Sequence, residues 1–117
     1  MFPFQHLHWD SVEAESLNPQ LQRQFVNTGK MTIARFVLQK GAVVPTHQHP
    51  NEQIAFIMEG ALKFIVNGKE IIVRAGEVLC IPPDTPHSAE ALETTVDVDV
   101  FTPPRADWIA KDDAYLR

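Results

Sequence analysis

The feature that most limits how this chain can fold is a series of short apolar segments that begins at Met31. The segments are rich in Val, Ile and Phe, are separated by Gly, Pro and Asn, and show almost no helical periodicity. This spacing is typical of an all-β barrel or sandwich. The pattern predicts strands at residues 31–39, 42–46, 53–59, 61–66, 69–73, 78–81, 87–91 and 95–101.

Turn-forming residues define two of the boundaries between these segments. Residues 62–73 are predicted to form a hairpin with Asn67-Gly68 as its turn, because Asn and Gly tolerate the positive φ angles of a type I′ turn. Three prolines lie between Ile81 and His87, and proline cannot donate hydrogen bonds to a sheet. This stretch is therefore predicted to be a loop that leads into His87.

The two ends of the chain carry weaker signals. Residues 17–20 are predicted to be irregular and residues 23–27 to form an edge strand. Residues 105–116 are predicted to form a short C-terminal helix or tail. The side chains expected to be partly buried there are Trp108, Ile109 and Tyr115.

Length and composition limit the possible functions. With 117 residues, 44% of them hydrophobic, the chain suits one domain over residues 1–117, with a core barrel at about residues 31–102. The net charge of -5 and the scattered Lys and Arg residues disfavour nucleic acid as a partner. No secretory leader and no apolar run of bilayer length is seen. We therefore expect a soluble, cytoplasmic protein with no membrane partner.

The chain has a single cysteine, Cys80, so no internal disulfide is possible. It lies within the apolar run at residues 78–81. We expect it to be a buried thiol that behaves as a small hydrophobic side chain.

A pair of histidines two residues apart, His47 and His49, suggests a metal site. Residues two apart on an extended strand face the same side, and neutral imidazoles bind several first-row metals. His6 and His8 have the same spacing, but no third ligand stands in a recognisable context near them. We therefore expect His6 and His8 to be ordinary surface residues.

The pair at 47 and 49 lies in a longer frame of spaced residues that resembles the two cupin motifs. The residues that carry the resemblance are Gly41, His47, His49, Gln53 and Gly60 for the first motif, and Gly76, Pro82 and His87 for the second. The resemblance implies the cupin double-stranded β-helix, a closed jelly-roll β-barrel. It also implies one divalent transition metal ion, such as Zn, Mn, Ni or Fe, bound by His47, His49, Gln53 and His87.

The chain departs from the usual cupin pattern at several positions. Gln53 stands where glutamate is usual, and its amide oxygen brings no charge, so a bound metal would be a stronger Lewis acid. Glu52 is the competing fourth ligand. Asp84 replaces a usual glycine and Ala91 a frequent asparagine. These two changes affect the expected turn geometry and remove no ligand.

The strand at residues 95–101 has two interpretations. Its alternation alone favours valines in the core and Asp97 and Asp99 in water. However, residues 99–105, followed by Asp107-Trp108, resemble pectin-degradation cupins of the KdgF type, as do residues 49–54. In that family the equivalents of Asp99, Phe101 and Arg105 lie in the pocket beside the metal. The resemblance therefore reverses the first interpretation.

The KdgF-type resemblance implies an enzyme that linearises 4,5-unsaturated uronate sugars to open-chain keto acids. Arg105 would bind the sugar carboxylate, Phe101 would contact the sugar, and Asp99 would transfer the proton of the enol form. Each residue has a purely structural alternative: Arg105 paired with Asp107, Phe101 in the core, and Asp99 in water. A metal-dependent dioxygenase and a non-catalytic cupin that binds a small ligand remain alternative functions.

We also expect a homodimer. A barrel this small leaves strand edges unpaired, and the N-terminal segment carries apolar side chains at Phe2, Phe4 and Trp9. The expected ligand is a small molecule, an anionic sugar in the KdgF-type interpretation.

Overall fold

The fold is a two-sheet β-barrel in a computed structural model that describes residues 4–117. Its strands are β1 (Glu15–Asn18), β2 (Leu21–Asn27), β3 (Thr32–Leu38), β4 (Val43–His47), β5 (Glu52–Glu59), β6 (Ala61–Val66), β7 (Lys69–Arg74), β8 (Val78–Ile81), β9 (His87–Ala91) and β10 (Thr95–Thr102). Each strand predicted from Met31 onward is present, and no end differs by more than one residue. The all-β prediction is confirmed.

The strands form two antiparallel sheets that enclose one core. The order is β1-β2-β3-β10-β5-β8 in the six-stranded sheet and β4-β9-β6-β7 in the four-stranded sheet. Apolar side chains from the inner faces, such as Phe36, Ile57, Leu62 and Phe64, fill the space between the sheets. At one end of this barrel, the last residue of β4 pairs with the first residue of β9.

Two predicted glycine positions explain how the chain turns tightly. Asn67 and Gly68 have φ angles of 53° and 82°, as a type I′ turn requires. Gly60, between β5 and β6, has a φ of 86°, and a Cβ there would overlap the backbone of Thr94 and Thr95. Only glycine fits at that crossing.

The N-terminal region is more regular than its sequence suggests. Residues 17–20, predicted to be irregular, contain the end of β1 and a turn in which Asn18 Oδ1 accepts a hydrogen bond from the backbone N–H of Gln20 at 2.9 Å. Strand β2 lies between β1 and β3, so the predicted edge strand is internal. The edge is β1, which is too short and too polar to be recognised from alternation.

The C-terminal region contains the predicted short helix, which is followed by a separate 3-10 turn. A single turn of helix, α1, spans Ala106–Ile109, and a 3-10 turn spans Ala114–Leu116, with Lys111 at a φ of 60° between them. Trp108 is buried and Tyr115 is half-buried, as predicted. Ile109 is 58% exposed, so its predicted burial is wrong, because in a single turn of helix the inward position is taken by Trp108 and the adjacent Ile109 faces solvent.

The inner face of β10 is polar. Asp97, Asp99 and Phe101 are buried, whereas the alternating valines are only half-buried on the outer face. The interpretation that placed the aspartates in water is therefore wrong, because both face the interior of the barrel.

Cys80 is exposed, so the prediction of a buried thiol is wrong. It lies on β8, the edge of the six-stranded sheet, and its neighbour Ile81 takes the inward position. An apolar run on an edge strand therefore still has one face in solvent. Within residues 4–117, no helix has the length and hydrophobicity needed to cross a bilayer.

Candidate metal centre

The site is built first from two neighbouring strands. His47 ends β4 and His87 begins β9, and the two residues are direct partners in the antiparallel pairing. Their ring centroids are 4.3 Å apart. A register shift between Val44 and His47 accompanies this pairing. The end of the four-stranded sheet thus brings two imidazoles together.

The third imidazole comes from the loop that follows β4. His49 lies beyond the end of the strand, so the prediction that it shares a strand face with His47 is wrong in detail. Even so, a ring nitrogen from each of His47, His49 and His87 lies within 4.8 Å of the other two. These three residues can therefore hold a metal ion.

The backbone orients all three rings in the same manner. The Nδ1 atoms of His47, His49 and His87 lie 2.8, 3.0 and 2.8 Å from backbone carbonyl oxygens two residues away. Each Nδ1 therefore carries the proton and donates it. The Nε2 atoms keep their lone pairs, and that of His87 is buried without a hydrogen-bond partner. This is the usual arrangement around metal-binding imidazoles, and the residues fit a metal.

Burial keeps these imidazoles neutral. It lowers the pKa of His47 and of His49 to about 4, and the positive charge of Arg105 adds to the effect. Burial also lowers the pKa of His87. At neutral pH all three rings are therefore neutral imidazoles, which is the form that binds metal.

Gln53 reaches the same place from the opposite sheet. Its Oε1 lies 3.1 Å from His49 Nε2, and its Nε2 donates to Asp99 Oδ2 at 3.2 Å. Because a carboxylate can only accept, Asp99 turns the amide so that its oxygen faces the histidines. A glutamate at this position would face Asp99 as a like charge. Glu52, the alternative ligand, is exposed and lies outside the histidine cluster.

Two buried carboxyl groups lie beside this amide. Burial raises the pKa of Asp99 to about 6, while hydrogen bonds from Asp97 and Gln53 and the charge of Arg105 act in the opposite direction. Burial and the neighbouring charge of Asp99 raise the pKa of Asp97 well above its ordinary value. Each of the two carboxyl groups has a buried Oδ1 without a hydrogen-bond partner. Asp97 was not among the predicted site residues, although its two-residue spacing from Asp99 indicates that the two share a face.

Arg105 is buried and held by several groups. Its Nε and Nη2 donate to Asp107 at 2.9 and 2.7 Å, and Nη2 also donates to the Tyr115 hydroxyl at 2.5 Å. Its guanidinium lies 4.6 Å from the ring centroid of Phe101 and 4.2 Å from that of Trp108. The ion pair between Arg105 and Asp107, which was the structural alternative for Arg105, is therefore observed. Nη1 makes no hydrogen bond within residues 4–117.

One cavity joins these groups. It is lined by His47, Gln53, His87, Asp97, Asp99, Phe101, Arg105, Trp108 and Tyr115, with apolar side chains of the core below them. Phe101 is only 2% exposed and also lines the cavity, so it belongs both to the core and to the cavity wall. Three of the four predicted ligands, all except His49, thus share one cavity with the predicted pocket residues.

Two further residues position the site, and both stand at positions with a signal in the sequence. Asn51, within the KdgF-like stretch, is buried, and its side chain donates to Pro103 O at 2.5 Å, which ties the His49 loop to the segment before Arg105. Asp84 adopts a φ of 57°, which explains the usual glycine there, and its N–H donates to His49 O at 2.8 Å. By contrast, His6 and His8 are exposed.

The match to a family model agrees with this fold. Residues 34–102 match the cupin domain model, which covers more than half of the chain, so the chain belongs to the cupin family.

Within that family, the chain is similar to proteins named KdgF. It is 25% identical to the pectin degradation protein KdgF of Dickeya dadantii over 103 residues, which cover 86% of this chain and 94% of that protein. The structure of KdgF from Halomonas sp. matches with a TM-score of 0.85 and 26% identity over 91% of this chain and 99% of that chain. An RmlC-like cupin from Shewanella frigidimarina matches with a TM-score of 0.84, covers 91% of this chain and 96% of its own, and at 24% identity shows the fold alone.

Proposed function

We propose that this protein is a metal-dependent enzyme that linearises 4,5-unsaturated uronate sugars to open-chain keto acids. The observation that carries the proposal is that one cavity holds two of the clustered histidines together with Gln53, Asp99 and Arg105. Metal ligands, a carboxyl group with a pKa near neutrality and a guanidinium are what this reaction needs. The similarity to proteins named KdgF supports the same substrate class.

His47, His49, Gln53 and His87 would hold one divalent transition metal ion. When bound, such an ion supplies positive charge that polarises a sugar or carboxylate oxygen. Three imidazoles and one amide oxygen would leave a position on such an ion open to a substrate oxygen.

Arg105 and Phe101 are proposed to bind and orient the sugar. The Nη1 group of Arg105 has no protein partner within residues 4–117 and would donate to the uronate carboxylate. Asp107 holds the other side of the guanidinium through two hydrogen bonds, so the group needs no rearrangement on binding. The Phe101 ring packs against the guanidinium and would line the sugar site.

Asp99 is proposed to move protons. Ring opening breaks the bond between C1 and the ring oxygen, the anomeric hydroxyl loses its proton to leave an aldehyde, and the ring oxygen becomes an enol. The enol proton is then lost and C4 gains a proton, which leaves a ketone at C5. With a pKa raised to about 6, Asp99 can accept and return a proton near neutral pH. The reaction is an isomerisation and needs no oxidant.

The test is the loss of absorbance of the conjugated enol form when metal-loaded protein is mixed with unsaturated galacturonate or its guluronate counterpart. We expect acceleration over the spontaneous reaction, loss of acceleration after chelation, and no oxygen consumption. His8→Ala, at an exposed histidine outside the site, is the matched control and should keep wild-type rates. Oxygen uptake during turnover would favour the dioxygenase alternative, and binding without turnover would favour a ligand-binding cupin.

We also propose that the protein forms a homodimer through the outer face of the six-stranded sheet. This face carries Ile33, Ile54, Phe56, Met58, Val78, Val98 and Val100. Phe4, in the N-terminal segment, is 96% exposed and Val78 is 52% exposed, which is unusual for an isolated domain. Phe2, part of the same expectation, lies outside the described residues.

Light scattering at micromolar concentration should give about twice the chain mass of 13.2 kDa. Val78→Lys should shift the mass toward the monomer, whereas Val43→Lys, an exposed valine on the other sheet, should not. A monomeric wild type would contradict the proposal.

A further inference from the structure

Tyr115 brings the C-terminal tail into the cavity. It lies in the 3-10 turn Ala114–Leu116, and its ring centroid is 4.7 Å from that of His47 with an angle of 31° between the planes. Its hydroxyl accepts a hydrogen bond from Arg105 Nη2 at 2.5 Å, and its side chain lines the same cavity as His87 and Asp99. A residue from the last turn of the chain thus touches both a candidate metal ligand and the candidate carboxylate-binding residue.

The hydroxyl of Tyr115 retains a donor. A guanidinium can only donate, so the oxygen of Tyr115 is the acceptor in its bond to Arg105. Its own O–H has no acceptor within residues 4–117, because the contact with Arg105 is its only hydrogen bond there. Arg105 Nη1 lies on the same guanidinium and also lacks a partner in this part of the chain. The two residues that carry these donors both line the cavity, and two neighbouring donors without acceptors suit an anionic oxygen.

The tail is held firmly on both sides of Tyr115. Asp113 is buried and accepts from Arg23 Nη2 at 2.8 Å, and the same Arg23 pairs with Glu15 at 3.0 Å. Leu116 is buried, and its carbonyl accepts from Asn18 Nδ2 at 3.2 Å. These charge-assisted hydrogen bonds and apolar contacts join the tail to β1 and β2. The position of Tyr115 is therefore set before any ligand arrives, which reduces the entropy cost of binding.

We propose that Tyr115 is a substrate-contacting residue that donates its hydroxyl hydrogen to the carboxylate of a sugar acid, next to Arg105 Nη1. In this arrangement the tail is a wall of the binding site, and the Arg23–Asp113 pair acts through Tyr115 as a positioning contact. The inference rests on the proposed function, because it takes the uronate as the ligand.

The experiment compares wild type with Tyr115→Phe, which keeps the ring against His47 and removes only the hydroxyl. Calorimetric titrations of the metal-loaded proteins use galacturonate, which lacks the double bond and does not react, and galactose as its neutral counterpart. We expect the Kd for galacturonate to rise about tenfold, as for loss of one hydrogen bond to a charged group. The Kd for galactose should change less than twofold or so. With unsaturated galacturonate, KM should rise while kcat stays within about twofold.

Ile109→Ala is the matched control, because Ile109 is the exposed last residue of α1 in the same C-terminal region. It should behave as wild type in every measurement. Metal content and melting temperature should be unchanged in Tyr115→Phe, since the ring and its stacking remain.

The outcomes separate this inference from the proposed function. Equal galacturonate affinities for wild type and Tyr115→Phe would overturn the inference and leave the proposed function standing. If the wild type binds galacturonate but does not accelerate ring opening, the proposed function fails, and the affinity comparison still decides the role of Tyr115. If the wild type binds neither galacturonate nor the unsaturated sugar, both fail.

Discussion

The two faces of β10 differ in a way that is the reverse of an ordinary β-sandwich. The inward residues Asp97 and Asp99 are charged types that are fully buried, whereas Val98 and Val100 face outward and are half-buried. Burial of carboxyl groups costs free energy unless they are paired or neutralised. A strand that keeps its polar side inside therefore points to a chemical use of the interior and to a partner for its exterior.

We expect the largest loss of activity from substitution of a histidine that lines the cavity. His87→Ala removes an imidazole whose Nε2 is buried without a protein partner, so we expect loss of bound metal and a fall in turnover of more than about a hundredfold. Elemental analysis checks the metal content. His6→Ala, an exposed histidine, should keep the full metal content. Full metal retention in His87→Ala would contradict the ligand assignment.

The next effect tests the two faces directly. Asp99→Asn keeps size but removes a proton-transferring group, so kcat should fall roughly a hundredfold or more while metal content stays near wild type. Val98→Ala, at the adjacent position on the outer face, should change kcat by no more than about twofold, because it does not face the cavity. Similar losses in both variants would mean that β10 acts only through folding.

The smallest effect concerns Asp97 and pH. Its pKa is raised in the folded state by burial and by Asp99, so the folded protein holds a proton that the unfolded chain loses. The protonated Asp97 side chain therefore makes its full contribution to the free energy of unfolding at low pH. This contribution is lost as the pH rises above about 4 toward neutrality. Asp97→Asn has no ionisable group at this position, so it does not lose stability in this way as the pH rises. Its stability relative to wild type should increase by on the order of 1 kcal/mol over that range.

Denaturant titrations of the metal-free proteins at several pH values measure this difference. Asp112→Asn, at an exposed aspartate of the tail, is the control and should follow the wild-type profile. A constant difference between Asp97→Asn and wild type across the range would show that Asp97 does not take up a proton on folding.

The barrel strands were predictable because their signals are local. Alternating apolar residues, Asn67-Gly68 and the prolines before His87 determine strand boundaries within a few residues of themselves. The short polar strand β1 was missed because its pairing with β2, and not its own composition, stabilises it. Cys80 was placed wrongly because local sequence does not reveal which strand becomes an edge.

The site was only partly predictable for the same reason. The spacing of His47, His49 and His87 carries a family pattern, so the cluster was recognised. The roles of Asp97 and Tyr115 depend on contacts between residues far apart in sequence, such as the bond from Arg105 to Tyr115 and the anchoring of the tail by Arg23. No local periodicity records such contacts.

The most direct test of the central claim is a metal titration of the chelated protein, followed by the initial rate of ring opening of unsaturated galacturonate. We predict that the rate rises with added divalent metal and stops rising at about one ion per chain, as expected for a single site of three histidines and Gln53. A rate that is independent of metal, or no acceleration at any metal concentration, would contradict the account.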